Sequence, residues 1–337
     1  NPFYIEELLN FLHDRNIDPQ HPEALEQIDL PNSLHSLILS RIDQLSENQK
    51  SLLKVASVIG RLFRAAILWG IYNQFGDQDQ ARNDLDILSA MELTPMDTPE
   101  PELAYLFKHI LTQEVAYETL SFATRAMLHD QIGQYIEKMY QEVLDQYVDL
   151  LAYHFEHSEN LAKKREYLPR AGKAAQADYS NAAAIAYYRK VLPLLPEEDQ
   201  VGVILNLGQV LELVGDWKEA ESFYQQAEVL TNRLNNETGH AQAQQALGWL
   251  LRKQGEYADA EAWLVRARES YEQLGDNSGV SHVLSDIGEI YRLRGRYAEA
   301  RGYYEESLSL TANISEIRLR QKARAHALKG AGTVATW

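Results

Sequence analysis

The chain has 337 residues, 45% of them hydrophobic and 24% charged, which is the balance of a soluble globular protein of about two domains. Its 32 Lys+Arg against 49 Asp+Glu leave a net charge of −17, and that sign opposes sequence-independent binding to nucleic acid or to anionic lipid. The absence of cysteine excludes disulfides, thiolate nucleophiles and Cys-ligated metal centres, and no apolar run is long enough to span a bilayer.

The chain opens Asn1-Pro2-Phe3 with neither Met nor a signal peptide, which predicts a cytoplasmic fragment of something longer. Apolar periodicity predicts helices over 3–15, 32–45, 47–59, 64–73 and 78–91, with Ser46 and Gln49 forming a capping box at the head of the third. Thr94–Pro101 ends all helix, and Met91–Met96 and Leu103–Phe107 on either side can form short strands. Helices followed by a hairpin is the order of a winged-helix domain, and helices over 112–121 and 124–140 lead on from it. As a DNA-reading helix, 78–91 is poorly suited: it is acidic with one arginine, Arg82, and phosphates would repel it.

Further along, the sequence repeats. Leu207-Gly208, Leu247-Gly248 and Ile287-Gly288 stand forty residues apart, followed in step by Gly215, Gly255 and Gly295 and by Ala220, Ala260 and Ala300. Ala171-Gly172 fits the same template upstream, and Ala331-Gly332 reads as the start of another copy. The first glycine of each set belongs where two helices cross, and the second where the first helix ends in a left-handed cap. The pattern resembles the tetratricopeptide repeat. It predicts an all-α chain apart from one small hairpin: a helical and winged-helix module over 1–140, then a solenoid of four to five repeats over 141–337, the last one truncated. The boundary near Tyr140 is read as lying within continuous helix.

Four stretches carry a second resemblance: Asn1-Pro2-Phe3-Tyr4-Ile5-Glu6-Glu7-Leu8, Leu30-Pro31-Asn32-Ser33-Leu34 with Arg41-Ile42-Asp43-Gln44-Leu45, Ala56-Ser57-Val58-Ile59-Gly60, and Phe107-Lys108-His109-Ile110-Leu111-Thr112-Gln113-Glu114-Val115-Ala116-Tyr117-Glu118. They resemble the arm of a STAND-type signalling ATPase, most of all the ATPase region behind class III adenylate/guanylate cyclase domains. The resemblance implies a parent protein that binds ATP or ADP through an upstream nucleotide-binding domain in cis. It implies that Pro2 ends a Gly-x-Pro motif packing on adenine, and that His109 reaches the β-phosphate of ADP. The usual Met-His-Asp is here Lys108-His109-Ile110. The alternative for His109 is a histidine hydrogen-bonded for structure.

No Gly-x-x-x-x-Gly-Lys-[Ser/Thr] cradle is present, so no catalytic residue, cofactor or metal is assigned to the fragment itself. His154 and His157 read as surface histidines rather than a metal pair, and Glu197-Glu198-Asp199 as acids at a helix start. The repeat register places Glu212, Gln245, Trp249, Arg252, Ser285, Glu289 and Arg292 on the concave groove. Trp249, Arg252, Glu289 and Arg292 are the candidate partner-binding residues, for a protein or peptide, with Trp249, Arg252 and Arg292 forming a cationic wall. The alternative for these positions is an ordinary solvated face. The functional expectation is a non-catalytic regulatory region in which the repeats sense a partner and the winged-helix part relays it to the nucleotide-binding domain. The competing expectation is a plain interaction scaffold with a helical N-terminal cap.

Overall fold

A computed structural model describes residues 2–15, 17, 33–72 and 78–335, and among them the chain forms seventeen α-helices and three short strands. It divides into two compact units, Asn1–Tyr167 and Leu168–Trp337, the division falling some way past the Tyr140 expected from sequence.

The first unit begins with α1 (Pro2–Asp14), α2 (Leu34–Asp43) and α3 (Glu47–Ile59). Ser33 caps α2 by accepting from the Ser36 amide, and the Ser46–Gln49 capping box at α3 is complete in both directions. Helix α3 is the centre of the unit: from Leu52 to Ile59 every residue but Lys54 is buried. Around it pack α4 (Ala65–Tyr72), α5 (Gln78–Ala90), α6 (Ile110–Glu118) and α7 (Phe122–Met139). Then come a 3-10 turn over Gln141–Tyr147, α8 (Val148–Glu156) and α9 (Leu161–Ala177), within which the unit ends.

The sheet has three antiparallel strands rather than two. β3 (Ala104–Leu106) lies between β1 (Leu62–Arg64) and β2 (Met96–Thr98), with Phe63 opposite Tyr105. β1 is not expected from sequence, and it overlaps the helix predicted over 64–73 only at Arg64. Phe63 anchors it, 1% exposed and with its ring 5.6 Å from that of Phe107, and three residues are too few to show a two-residue period. Met91–Met96 does not form a strand: Glu92 takes a left-handed φ of 58°, which ends any extended run, and pairing begins only at Met96. Nor is the chain continuous helix around Tyr140. Helix α7 stops at Met139, and the Tyr140 and Tyr147 rings stack at 4.0 Å across the 3-10 turn.

One buried polar contact ties this unit together. The Arg41 guanidinium, 1% exposed, donates to Glu7 Oε2, Asp14 Oδ2 and the Met91 carbonyl, each at 2.7 Å. Fork geometry lets one side chain satisfy three acceptors from two other segments, which is what makes a buried guanidinium tolerable.

The second unit is a stack of helix pairs: the end of α9 with α10 (Asn181–Val191), α11 (Glu197–Val214) with α12 (Trp217–Arg233), α13 (Glu237–Gln254) with α14 (Tyr257–Gln273), and α15 (Asn277–Leu293) with α16 (Tyr297–Thr311), closed by α17 (Ile317–Ala335). The glycines sit where the template predicts. A Cβ on Gly248 would stand 2.6 Å from Leu264 Cγ, and one on Gly288 2.9 Å from the Tyr304 ring. Gly215 and Gly255 cap α11 and α13 at φ +88°, where a side chain would be strained.

The forty-residue register runs further than the glycines reveal. Val203, Ala243, Val283 and Ala323 are buried in step, and so are Leu207, Leu247, Ile287 and Ala327. Helix α17 is therefore the first helix of the next repeat, which begins well before the Ala331-Gly332 expected from sequence. At the step of Gly208, Gly248 and Gly288 it carries Leu328, 49% exposed.

Candidate functional site

The first helices of successive repeats, α11, α13, α15 and α17, line one groove within the second unit, with a volume of about 1040 Å³. The register explains the lining. Each helix presents the same one-turn face, so Asn206 and Gln209 recur as Ala246 and Trp249, then Asp286 from α15, then His326 and Lys329. Chemistry changes along the groove: the side-chain amides Asn206, Gln209, Gln242 and Gln245 lie on α11 and α13 beside the Glu212–Lys253 pair, while α15 and α17 contribute His282, Asp286, Lys322, His326 and Lys329.

Trp249 lies in this lining. Its indole N–H donates to Glu212 Oε1 at 3.0 Å, the Lys253 ammonium is 2.6 Å from the same oxygen, and the Tyr224 hydroxyl donates to Glu212 Oε2 at 3.1 Å. A carboxylate that is 7% exposed is thereby held by three donors. Burial and the Glu212 charge push the Tyr224 hydroxyl well above its ordinary value, so it stays a donor. The Arg252 guanidinium lies 4.5 Å from the Trp249 ring centre and is not part of the groove lining.

The cationic wall is built differently from expectation. Arg292 is engaged by Glu289 through two hydrogen bonds of 2.6 and 2.7 Å, and Tyr304 donates to the same carboxylate at 3.0 Å. Arg252, Glu289 and Arg292 are not among the groove-lining residues. Ser285 faces the seam between helices, where it bonds the Ser281 carbonyl and the Ser307 hydroxyl. The positive charge in the groove comes instead from Lys173, Lys322 and Lys329, none of which has an acidic partner among the described residues, together with the paired Lys253. Sequence marks the basic stretch Arg318–Lys329 as a second candidate for the partner but does not place its lysines on the groove, because the template stopped at the glycines. The signal was available, since forty residues past His282 and Glu289 stand Lys322 and Lys329.

Asp286 forms the groove floor. It is 2% exposed, its Oδ2 accepts from Gln245 Nε2 at 3.2 Å, and burial raises its carboxyl to about 7. Burial also lowers His282 to about 4, and His282 and His326 face each other with ring centres 5.3 Å apart. Among the described residues no group of three or more His, Asp or Glu is arranged to hold a metal ion.

In the first unit, Pro2 opens α1; its side chain and the whole of Asn1 lie outside the described residues. His109 precedes α6, and its ring packs against that of Phe3 with centres 4.0 Å apart and planes tilted by 45°. Its Nε2 is 3.7 Å from Glu6 Oε1 and 3.8 Å from Glu7 Oε1, and has no hydrogen-bond partner. Lys108 bridges Glu6 and Glu92 at 2.6 Å each, and its hydrogen bond holds the Glu6 carboxyl below the usual range. Two carboxylates against the imidazole edge would repel a diphosphate. In this arrangement the residues do not fit a nucleotide at His109.

His154 is not a surface histidine. It is wholly buried, its Nδ1 3.0 Å from Nδ1 of the equally buried His129, whose Nε2 meets the Tyr117 hydroxyl at 3.1 Å. Burial lowers both imidazoles to about 3, while His157, three residues beyond His154, is exposed and bonds the Tyr153 carbonyl. Sequence missed His129 because it lies on another helix, twenty-five residues earlier.

Residues 200–273 and 250–313 match the tetratricopeptide repeat family. Over 200–313 the solenoid is built of tetratricopeptide repeats. No curated protein matches the chain. Solved structures with partial likeness include a Signal Transduction ATPase with Numerous Domains (STAND) protein with a tetratricopeptide repeat sensor from Pyrococcus horikoshii, at 13% identity and TM-score 0.43, covering 91% of this chain and 51% of that one. Others are aspartyl phosphate phosphatase F from Bacillus subtilis, at 12% identity and TM-score 0.49, covering 92% and 83%, and a Rap protein complexed with Competence and Sporulation Factor, at 17% and 0.47, covering 99% and 82%. No helix among the described residues is long and apolar enough to cross a membrane.

Proposed function

We propose that the chain is a non-catalytic, cytoplasmic regulatory region of a multidomain signalling ATPase, whose repeats take up a protein or peptide segment in the groove. The observation that carries this is the groove itself: amide side chains, Trp249 and lysines without acidic partners, displayed by the first helices of a tetratricopeptide array. Amides suit a peptide backbone, and unpaired lysines in a chain of net charge −17 favour an acidic segment. The N-terminal unit, read as a winged helix, would relay occupancy to a nucleotide-binding domain in cis as a population shift. Nucleic acid and membranes are not assigned as partners.

A second reading, a plain interaction scaffold with a helical N-terminal cap, is favoured by the two carboxylates that enclose His109. Hydrogen exchange separates the readings. A relay changes protection within residues 1–167 when the groove is filled, and a scaffold does not. Calorimetry of the chain with ATP or ADP is expected to show no binding, since the phosphate cradle is missing; micromolar affinity would overturn the regulatory reading.

A further inference from the structure

The end of the groove between α13, α15 and α17 combines features that backbone recognition alone does not call for. Lys322 and Lys329 stand two turns apart on one face of α17, both lining the groove and both exposed. Asp286 lines the same groove from α15, enclosed yet with no Lys or Arg in ion-pair contact among the described residues. From α13 it faces the Gln245 amide and, more distantly, the Arg252 charge. The Tyr271 hydroxyl comes from α14, bonded to Gln245 Oε1 at 3.0 Å, and His326 from α17, with Nε2 3.8 Å from Asp286 Oδ1. On α15 itself, Glu289 adds like charge, and His282 stands one turn before Asp286. Lys322 acts on both histidines, and burial keeps His282 and His326 neutral.

We propose that this end of the groove is a carboxylate subsite for an acidic segment of a partner protein, in which Lys322 and Lys329 hold the incoming carboxylate and Asp286 takes up one proton as it docks. The proposal rests on the groove reading and specifies its ligand. Two carboxylates sharing a site of low polarity cannot both stay ionised at little cost, so one is protonated. Asp286 is the one prepared for it. The proton comes from solvent and no covalent bond changes. Because burial has already brought Asp286 to about 7, a docked anion raises it further, and by linkage the affinity falls as pH rises through that value. The lysines supply the attraction that makes docking favourable at all, and that part weakens with salt.

The test uses fluorescein-labelled hexaglutamate as probe, with hexaglutamine as control, by fluorescence anisotropy on the whole chain. Between about pH 6 and about pH 8 the dissociation constant should rise about five- to tenfold, and calorimetry in buffers of different ionisation enthalpy should show uptake of up to about half a proton at pH 7, rising toward one by about pH 8. Asp286→Asn, which preserves shape and can still bond Gln245, should bind hexaglutamate with a flat pH response. Lys322→Glu with Lys329→Glu should weaken binding at least about tenfold at either pH. Hexaglutamate that binds with no pH response and no proton uptake by the unaltered protein overturns the subsite and leaves the groove reading standing. Failure of any peptide to bind, or binding undiminished by both Trp249→Ala and the lysine changes, overturns both. Concentration-dependent self-association that hexaglutamate competes away makes a second copy of the chain the occupant and overturns the assignment to a partner protein.

Discussion

The two units of this chain solve the problem of joining helices in opposite ways. In the repeats, one solution is used again and again: a glycine on the first helix receives Tyr224, Leu264 or Tyr304 from the second, and the same apolar positions recur every forty residues. In the N-terminal unit each junction is made once, and two of them are polar: Arg41 among Glu7, Asp14 and Met91, and His129 against His154. Repetition makes stability a sum of near-equal interfaces, whereas singular polar contacts concentrate it in a few side chains.

The sharpest way to break this contrast is at Arg41. Arg41→Met should cost about 3–5 kcal/mol, because Glu7 and Asp14 keep their charges with nothing to pair them. Denaturation followed by hydrogen exchange should place the loss in residues 1–167. A cost below about 1 kcal/mol would mean that the guanidinium is dispensable and the contrast overstated.

Next in size is Gly248→Leu, expected to cost about 1–3 kcal/mol or more, since the added side chain must displace Leu264 where two helices are closest. The loss should fall on residues 168–337, and equal loss in both units would erase the distinction.

A smaller effect comes from the histidine pair. His129 and His154 are lowered from 6.5 to about 3 in the folded state, so unfolding takes up protons below the ordinary value. Their stability contribution is complete above about pH 6.5 and is lost as pH falls toward about 3, at up to about 1.4 kcal/mol per pH unit for each imidazole. Replacing both by Leu should flatten the acid limb of a melting-temperature profile for the N-terminal unit; an unchanged limb would show that neither is held neutral.

The smallest effect on stability is expected in the groove. Trp249→Ala with Lys322→Glu should shift the melting temperature little while abolishing capture of the partner, because both side chains line the groove surface. A large fall in stability would mean that the Trp249–Glu212–Lys253 contact is structural and would return Trp249 to the solenoid framework.

What could be read from sequence follows the same division. Gly208, Gly248 and Gly288 announced the repeats because one packing need selects one residue type at a fixed interval, and three copies expose the rule. The groove was half legible: Glu212, Gln245 and Trp249 fell on it by register, while Arg292 did not, because Glu289 one turn away claims it. Lys322 and Lys329 escaped because α17 keeps the apolar register but not the glycine. In the first unit, Glu7 and Arg41 both lay inside stretches singled out for resemblance, yet nothing local tells one that it meets the other. Contacts between positions thirty-four residues apart leave no periodic trace. β1 escaped for a related reason, since three residues held by Phe63 show their purpose only once Tyr105 and Phe107 are beside them.

Leu328 has a bearing on how this array could be rebuilt. Every earlier repeat reserves that step for a glycine so that a second helix can settle against the first, and α17 fills it with a branched side chain. A designer wishing to lengthen the solenoid by grafting another helix behind α17 would meet a steric stop there, and would need Leu328→Gly before the graft could seat. The same substitution without a graft would only loosen an exposed helix interior, by about 1 kcal/mol. One leucine thus marks the step at which α17 departs from the rule of the earlier repeats, and the place where an engineer would begin editing it.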